Sequence, residues 1–600
     1  MSFCTGTQTD RHDVVEMYIQ CELVPLPPLE LKSKPASTLD VTEGQVEKTP
    51  EPAATPPQHS SETSPTKHFS EGSFSEESSG PSGPKQPSSP IYEPSSHSSD
   101  VHSDDHHASP SKSTQSVGKG HFFLVMESCL LLLFKFCDLC MGPVEAVVWK
   151  TVGTFIRIRK QCRDCGSITF WDSQEFVSSI PEGNLKLSAG ILFSGSKPSQ
   201  ALRLFNHIKC PVITLRTFTR HQTKWLHPVV NRLWSTKQSA MMEGLKEIGV
   251  AVNLGGDGRS DSPGHSAKYG SYTFIDLDWN MVLHQELVQS NEVSSSNAME
   301  LEGLKRGLQF LRQQDLSINS LVTDRHRSIA KFMREEQEDV DHYYDVWHVA
   351  KGVSKKIEKL ARKKSCADAS GWSRSVSNHL YWVAASTPDG NGDMMLAKWL
   401  SVANHIQDVH EHDSPLFPKC LHGPLDESER KKKWLKPSTE VCEKMMDVIS
   451  NKMLQKDVKQ LSPAHQTSNV EGFHSVVIHF APKSTHFSYR TMISRLLLAA
   501  LHYNENASRP QATTKDGQQR YNLKFPKYKK GQATVSRVLS DATYGYVDEL
   551  MALVMDQSRK GANPQTGFGD ATVPPPLASA YFHPEKDEAV QQHQSRFKKT

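Results

Sequence analysis

The stretch from Ile248 to Lys364 decides the fold. It opens with IGVAVNLGGDG (248–258), an apolar run ending in glycines around Asp257. KYGSYTFIDLD (268–278) and MVLHQELVQS (281–290) follow as two more strand-like runs, with Asp278–Asn280 between them as a hairpin turn. NAMELEGLKRGLQFLRQQ (297–314) changes the period. Its Leu301, Leu304, Leu308 and Leu311 recur on one face of a helix. A strand in INSLVTDR (318–325), a helix in RSIAKFMREEQ (327–337), a strand in DHYYDVW (341–347) and a helix in VAKGVSKKIEKLARKK (349–364) complete the stretch.

Three strands in hairpin order, then helix, strand, helix, strand, helix, is the order of an α/β, ribonuclease H-like core. In that topology the first and fourth strands are neighbours. Asp257, closing the first, and Asp324, closing the fourth, would then face one site. Asp261 competes with Asp257, and Asp324 could equally cap the next helix. A third carboxylate is expected from a later helix. Glu471 in SPAHQTSNVEGFHSVVIHF (462–480) is the candidate, with Ser468 or Asn469 as cap and Val470, Phe473 and Val477 packing inward. Hard oxygen ligands without a thiolate suit Mg²⁺ or Mn²⁺. Two such ions ~3.5–4 Å apart would activate a water or 3′-hydroxyl and steady the leaving oxygen of a phosphodiester. The GGDG segment lacks the lysine of a phosphate-binding loop, so its glycines read as a tight turn.

Upstream, Cys137-x-x-Cys140 is followed, after a strand-like stretch, by Cys162-x-x-Cys165. Two such knuckles meet the needs of a four-thiolate Zn²⁺ site, and the β-like VVWKTVGTFIRIRKQC (147–162) closes the loop between them. With all four positions filled, this zinc would be structural; the alternative is four ordinary buried cysteines. Residues 119–180 form the expected zinc-binding module. Residues 181–245 read as helices: NLKLSAGILFSG (184–195), PSQALRLFNHI (198–208) and TLRTFTRHQTKWLHPVV (214–230). Arg216, Arg220 and Lys224 share a face of the third, either a helix-turn-helix-like grip on DNA or a solvated charged face. The core would span 246–350 and 464–555, interrupted by an α-helical insertion over 351–463. Basic runs in that insertion, KKIEKLARKK (355–364) and ERKKKWLK (429–436), suit DNA phosphates, though such runs also serve as solvated faces or nuclear-import signals. DVHEHD (408–413) and Cys420-x-His422 have metal-type letters but no ligand spacing that assigns a site. Residues 489–555 read as more helix, and 556–600 as a flexible tail.

Composition sets the outer limits. Counting Gly and leaving out Tyr, apolar residues are about 39% of the 600, against ~45–50% for globular chains. The shortfall lies in the Ser/Pro-rich residues 1–118, which read as a disordered tail. Lys plus Arg number 69 and Asp plus Glu 67, a net charge of +2, so any nucleic-acid surface must be local. Eleven cysteines are too few for a disulfide scaffold. The start, MSFCTGTQTDRHD, has no export signal. The apolar run Phe122–Phe134 includes Glu127 and falls short of the ~20 residues a membrane span needs. It reads as a buried strand and the start of a helix. The expectation is a soluble, intracellular chain with reduced thiols, no membrane partner and no small-molecule substrate.

Four blocks carry a resemblance: GGDGRSDSPGHSAKYGSYT (255–273), VTDRHRSIAKFM (322–333), YYDVWHVAKG (343–352) and LSPAHQTSNVEGFHSVVIHFAPK (461–483). Together, over residues from about 121 to 555, they resemble eukaryotic cut-and-paste DDE transposases of the Mutator/hAT/Kolobok-like group. The resemblance implies that Asp257, Asp324 and Glu471 match the catalytic acids and that an all-α insertion precedes the last of them. It implies that Asp345-x-x-His348 matches the D-x-x-H signature. That pair would support the metal site against substrate phosphate or a displaced base, with a satisfied core Asp–His pair as the alternative. It further implies DNA as partner, a homo-oligomer, a nuclear location, and phosphodiester hydrolysis with strand transfer. The N-terminus departs from the pattern, having Cys4 and Cys21 but no THAP-type Cys/His quartet. Recognition of DNA ends would then fall to the zinc module and the helical segment. The rival reading is a domesticated, catalytically silent nuclear DNA-binding protein that keeps the fold.

Overall fold

The computed structural model describes residues 121–263, 266–423, 433–527, 531–561, 573–578 and 582–593. The tail read as disordered, residues 429–432 of the second basic run, and residues 562–572, 579–581 and 594–600 of the expected C-terminal tail lie outside them.

Strands β1 (Val144–Val152), β2 (Phe155–Cys162) and β3 (Ile168–Asp172) form an antiparallel meander in the order β1-β2-β3. Helices α1 (Glu182–Phe193), α2 (Pro198–His207) and α3 (Leu215–His221) follow. A π turn at Gln222–Leu226 joins α3 to α4 (His227–Ile248), which Gly249 ends at φ 68°. The third helix, expected to stop near Val230, thus runs on to Ile248, because Leu233, Trp234, Met242 and Leu245 keep a buried face.

The main sheet takes β4 (Val252–Ser260), β5 (Tyr269–Asp276), β6 (Met281–Gln289), β7 (Ile318–Thr323) and β8 (Asp341–Tyr344). Its order is β8-β7-β4-β5-β6. β4, β5 and β6 pair antiparallel, whereas β7 pairs parallel with both β4 and β8. The result is a mixed α/β architecture around a mixed sheet. Helix α5 (Ala298–Gln313) connects β6 to β7, and α6 (Arg327–Glu336) connects β7 to β8. Leu304, Leu308 and Leu311 of α5 and Ile329 and Met333 of α6 bury against Leu254, Phe274 and Leu321 on one face. Gly307 lets α5 lie on β5, since a Cβ there would overlap the Phe274 ring.

Beyond β8 the chain leaves the sheet for α7 (Val346–Ala361), α8 (Ala369–Ala385), α9 (Gly392–His405), α10 (Glu440–Ile449) and α11 (Lys452–Val458). These helices have a core of their own, in which Trp372, Trp382, Trp399 and Met445 are buried. The excursion returns beside its starting point. Tyr344 N–H donates to Gln460 O at 2.7 Å, and Ser462 N–H donates to Tyr344 O at 2.9 Å. The returning chain enters α12 (Ser468–Phe480) and α13 (Tyr489–Asn506), then a ribbon of β9 (Tyr521–Lys524) and β10 (Thr534–Arg537), then α14 (Gly545–Lys560) and a short exposed α15 (Lys586–Gln592), so the described part of the expected flexible tail includes helix. α1, α3, α4, α12, α13 and α14 share one hydrophobic core with Ile275, Val282 and Leu287 of the sheet's other face. Residues 181–245 therefore pack as part of the same body as the C-terminal helices.

Two expectations need correction. Phe122–Phe134 forms no strand; it is a short helix at Glu127–Leu131 and a 3₁₀ turn, with Phe123 80% exposed and Leu124 74%. The run leads directly into the Cys137 knuckle, so only Phe134 reaches the small sheet, where its ring lies 5.3 Å from Trp171. Residues 507–544, expected to be helical, hold the exposed β9–β10 ribbon, whose polar and aromatic alternation offers no apolar helical face.

The two glycines of contrasting surroundings make a test. Gly307→Ala should lower the unfolding free energy, measured in urea, by about 1–3 kcal/mol through overpacking on Phe274. Gly244→Ala, in α4 with nothing within 4 Å of its added Cβ, should raise it by about 1 kcal/mol.

Candidate functional site

The parallel register sets the first two acids side by side. Gly255 of β4 pairs with Val322 of β7, so two positions further on Asp257 lies alongside Asp324. Asp324 follows β7 directly and accepts the His326 N–H at 3.0 Å. Asp257 does not close its strand, as expected, but lies within it: β4 continues to Ser260 and stays paired with β5. The adjacent glycines are strand residues, not a turn. At Gly255 a Cβ would stand 2.7 Å from Leu277 and 3.2 Å from Val470, so its absence lets α12 settle onto the strand.

That close approach brings α12 over Asp257. His474 Nδ1 lies 3.4 Å from Asp257 Oδ2. One turn earlier, Glu471 Oε1 lies 3.5 Å from His348 Nε2 of α7. Val470, Phe473 and Val477 are buried on the opposite side of α12 and hold it there. Neither Ser468 nor Asn469 caps this helix; the N-cap is Thr467, whose own side chain is drawn off to Asp345.

Asp345 is 1% exposed and fully engaged. One oxygen caps α7 by accepting His348 N–H at 3.2 Å; the other accepts Thr467 N–H at 2.6 Å and Thr467 Oγ1–H at 2.8 Å. It thus positions the start of α7 and the return of the chain at Thr467. His348 meets Asp345 through its backbone, and its ring turns to Glu471.

The negative charge gathered here shows in the titration of Asp324, Glu300 and His348. Burial, then Asp257, pushes the Asp324 carboxyl up from its ordinary range, against the partial relief of His348 and His326. Glu300, in the first turn of α5, is pushed up to about 8 by burial and by the charges of Asp324 and Asp257. Burial alone would lower His348, but its bond to Glu471 and the charges of Asp345, Asp324 and Asp257 outweigh it and raise the imidazole. Lys483 is lowered by burial and by Arg259, with Asp257 opposing. Glu300 and His474 carry no motif in the sequence. Their only signals are an acid opening the helix after the hairpin and a histidine one turn beyond Glu471. At the rim, Trp347 is 37% exposed and Lys351 stacks on it at 3.8 Å.

The four cysteines come together as the spacing predicts. Cys137 and Cys165 Sγ are 3.7 Å apart, and Cys140 and Cys162 Sγ 3.4 Å. Ligands of one tetrahedral zinc at Zn–S of about 2.3 Å would be about 3.8 Å apart. Leu139 and Cys165 N–H groups point at Cys137 and Cys162 sulfurs, and the latter, with Asp164 N–H, lowers the Cys162 thiol to about 7. The cluster could hold a metal such as zinc. Among the described residues, two groups of His, Cys, Asp and Glu have ligand atoms all within 4.8 Å of one another: these cysteines and a His/Cys group in the insertion. Asp257, Asp324 and Glu471 are not so tightly drawn. Arg216, Arg220 and Lys224 line one surface depression with Thr219, Thr223 and Arg490.

No protein-family model matches the sequence, and no curated protein matches it either.

Glu300 offers a pH test in metal-free protein. Because its folded pKa is raised to about 8, the folded state keeps a proton that the unfolded chain releases above about 4.5. Stability therefore falls as pH rises between those values. Glu300→Gln should stabilise the protein by about 2–4 kcal/mol at pH 8 and leave it unchanged at pH 3.5, read as thermal midpoints at the two pH values.

Proposed function

We propose that this protein is a DDE-type DNA transposase, or a protein derived from one, whose mixed sheet is a ribonuclease H-like core for two-metal phosphodiester chemistry on DNA. One observation carries the reading. Glu471 of α12 lies 3.5 Å from the His348 ring, and the charges of Asp324 and Asp257, side by side at β7 and β4, help raise that same imidazole, although the whole helical insertion separates Glu471 from the other two. The strand order β8-β7-β4-β5-β6 also supports it, since it makes the first and fourth strands of the unit neighbours.

The donor set fits hard divalent cations. It is all oxygen, and Asp324 and Glu300 are raised by burial and mutual repulsion, a strain that a cation relieves. Asp257, Asp324 and Glu471 would hold Mg²⁺ or Mn²⁺. Bound there, the ions would activate the attacking oxygen and neutralise charge on the leaving one. One ion with oxygens at about 2.1 Å joins atoms no more than about 4.2 Å apart, so carboxylates this widely spread suit a pair better than a single ion. Water attacks the phosphodiester first, breaking the bond to the leaving oxygen and freeing a 3′-hydroxyl, which then attacks the target strand. His348, favoured in its protonated form, holds the Glu471 carboxylate in place. Trp347, Lys351 and Lys483 flank the acids where a DNA strand would run. The four-cysteine site would brace the β1–β3 module with zinc. Arg216, Arg220 and Lys224, with Arg490, would meet backbone phosphates. A nuclear location and a homo-oligomeric working form belong to the same reading.

A second reading, a catalytically silent nuclear DNA-binding protein, is favoured by one observation: Glu471 is engaged by His348, and the three acids do not close on a common point.

Full-length protein with Mn²⁺ or Mg²⁺ should nick supercoiled DNA or join 3′ ends to it. Asp257→Asn, Asp324→Asn and Glu471→Gln should each reduce this by at least about a hundredfold with DNA binding intact. If Asp257→Asn and Glu471→Gln retain the activity, the assignment fails; if wild type binds DNA but never cleaves it, the silent reading holds. Replacing Arg216, Arg220 and Lys224 by Ala should weaken DNA binding equally for all sequences. It should also shrink the slope of log K against log salt by about 1 per residue, as titrated by fluorescence anisotropy.

A further inference from the structure

The insertion contains a second group of metal-type side chains, in a part of the molecule the proposed chemistry does not use. His405 is the last residue of α9. His410 lies in the loop beyond it, and Cys420 and His422 follow a narrow hairpin. In that hairpin His412 N–H donates to Pro418 O at 2.8 Å and Cys420 N–H to His410 O at 2.9 Å. One ligand atom from each of His405, His410, Cys420 and His422 lies within 4.8 Å of all the others. We propose that these four residues form a structural zinc site of Cys-His₃ type, separate from the four-cysteine cluster.

The geometry is that of ligands around a missing centre. Cys420 Sγ is 3.7 Å from His405 Nδ1. Sulfur and nitrogen sharing a tetrahedral zinc, at about 2.3 Å and 2.05 Å, would be about 3.6 Å apart. The three imidazoles stand edge to face, with interplanar angles of 68°, 79° and 89° and centroids 4.7–5.2 Å apart. Rings radiating from a common centre take this arrangement, each aiming one nitrogen inward.

The hydrogen bonds point the same way. His410 gives Nε2 to Asp408 Oδ1 at 3.1 Å, and its Nδ1 is buried without a hydrogen-bond partner. His422 gives Nδ1 to Gly423 O at 2.8 Å, and its Nε2 is likewise buried and unpartnered. In both rings the outer nitrogen donates to a carboxylate or carbonyl, which fixes the tautomer and leaves the inner nitrogen with a bare lone pair. That is the outer-shell arrangement of metal-bound histidine. Without a metal, each buried lone pair would cost stability for nothing. His412 Nε2, 3.3 Å from Cys420 Sγ, is placed to hydrogen-bond the thiolate from outside the ligand set. One thiolate with imidazoles in a closed tetrahedral set suits zinc and leaves no position for water. The site would pin residues 406–423 to the end of α9 and to Trp434, whose ring lies 5.6 Å from His405 and 5.7 Å from His410.

The test is the metal content of the full chain, purified without chelator and measured by mass spectrometry. Two zinc per chain are expected, falling to one in His410→Ala/His422→Ala and to one in Cys137→Ser/Cys165→Ser. One zinc in wild type, lost with the cysteine pair and unaffected by the histidine pair, overturns the proposal. Ligand removal can also unfold the insertion, so Asp408→Asn supplies a second measure. With all four ligands kept, it should bind the second zinc about 10–100-fold more weakly in a chelator competition. Unchanged affinity overturns the hydrogen-bond geometry on which the site is argued. Cobalt added to Cys137→Ser/Cys165→Ser protein should give the visible spectrum of a tetrahedral site with one thiolate; an octahedral spectrum, or none, also overturns it.

Discussion

The Asp345 carboxylate is the interaction on which the arrangement turns. One oxygen caps the helix by which the chain leaves the sheet, and the other holds the backbone and hydroxyl of the residue at which it returns. Between Asp345 and Thr467 the described residues form five α-helices with a separate core, and the entropy of closing so long a loop would otherwise leave the two ends free to drift. A buried charge with no partner would be very costly, and here it is met by three donors. That satisfaction fixes α12 against β4. Three positions after Asp345 comes His348 and four after Thr467 comes Glu471, so one clamp sets both members of that contact. The Asp345-x-x-His348 pair thus works by position: its aspartate builds the frame, and its histidine alone faces the site.

A frame this closed permits charge to accumulate. Asp257 and Asp324 lie on adjacent parallel strands, Glu300 faces them from α5, and Glu471 approaches from α12. Packing and hydrogen bonding elsewhere keep these elements in register, and within them burial and the neighbouring acids raise Asp324 and Glu300. His348, raised by its bond to Glu471 and by Asp345, Asp324 and Asp257, offsets part of the excess, and His474 lies beside Asp257. Concentrated negative charge on neighbouring strands, partly buried and partly open to solvent, is costly for folding alone. In the proposed reading it is an electrostatic site made ready for cations.

Much of this is legible in the sequence where local periodicity carries the information. The hairpin order of residues 252–289, the leucine face of α5 and the paired cysteine knuckles each follow from spacing within one element. Asp257 and Asp324 stand out because strand order predicts which strands are neighbours, and Glu471 because such a core expects a third carboxylate from a later helix. What depends on distant packing is not legible. GGDG reads as a turn because glycine usually marks one, whereas here Leu277 and, on a helix beyond the whole insertion, Val470 crowd the place a Cβ of Gly255 would take. Phe122–Phe134 reads as buried because apolar runs usually are, although among the described residues most of it stays exposed and Phe134 meets Trp171. Glu300 gives no motif at all, since its environment comes from two other elements.

The histidine cluster of the insertion escapes the sequence for a further reason, and it bears on how the molecule would keep its metals apart. Its spacing, His405-x₄-His410-x₉-Cys420-x-His422, fits no knuckle, because one ligand belongs to a helix end and the rest to a hairpin that only tertiary folding brings back. In the proposed reading, sulfur and imidazole donors lie in the β1–β3 module and the insertion, while the sheet's acids offer oxygen. Zinc binds most sites of given type more strongly than manganese, so affinity alone would not protect the carboxylates. Donor softness and closed tetrahedral geometry would draw zinc to the cysteine and histidine sets and leave a wider, hard-oxygen site to the ions of phosphodiester chemistry. His348 and His474 are the weak point of that division, since a nitrogen beside each flanking acid is what a stray zinc ion would seek. Their contacts with Glu471 and Asp257, and the raised affinity of His348 for a proton, oppose it by occupying the nitrogen lone pair.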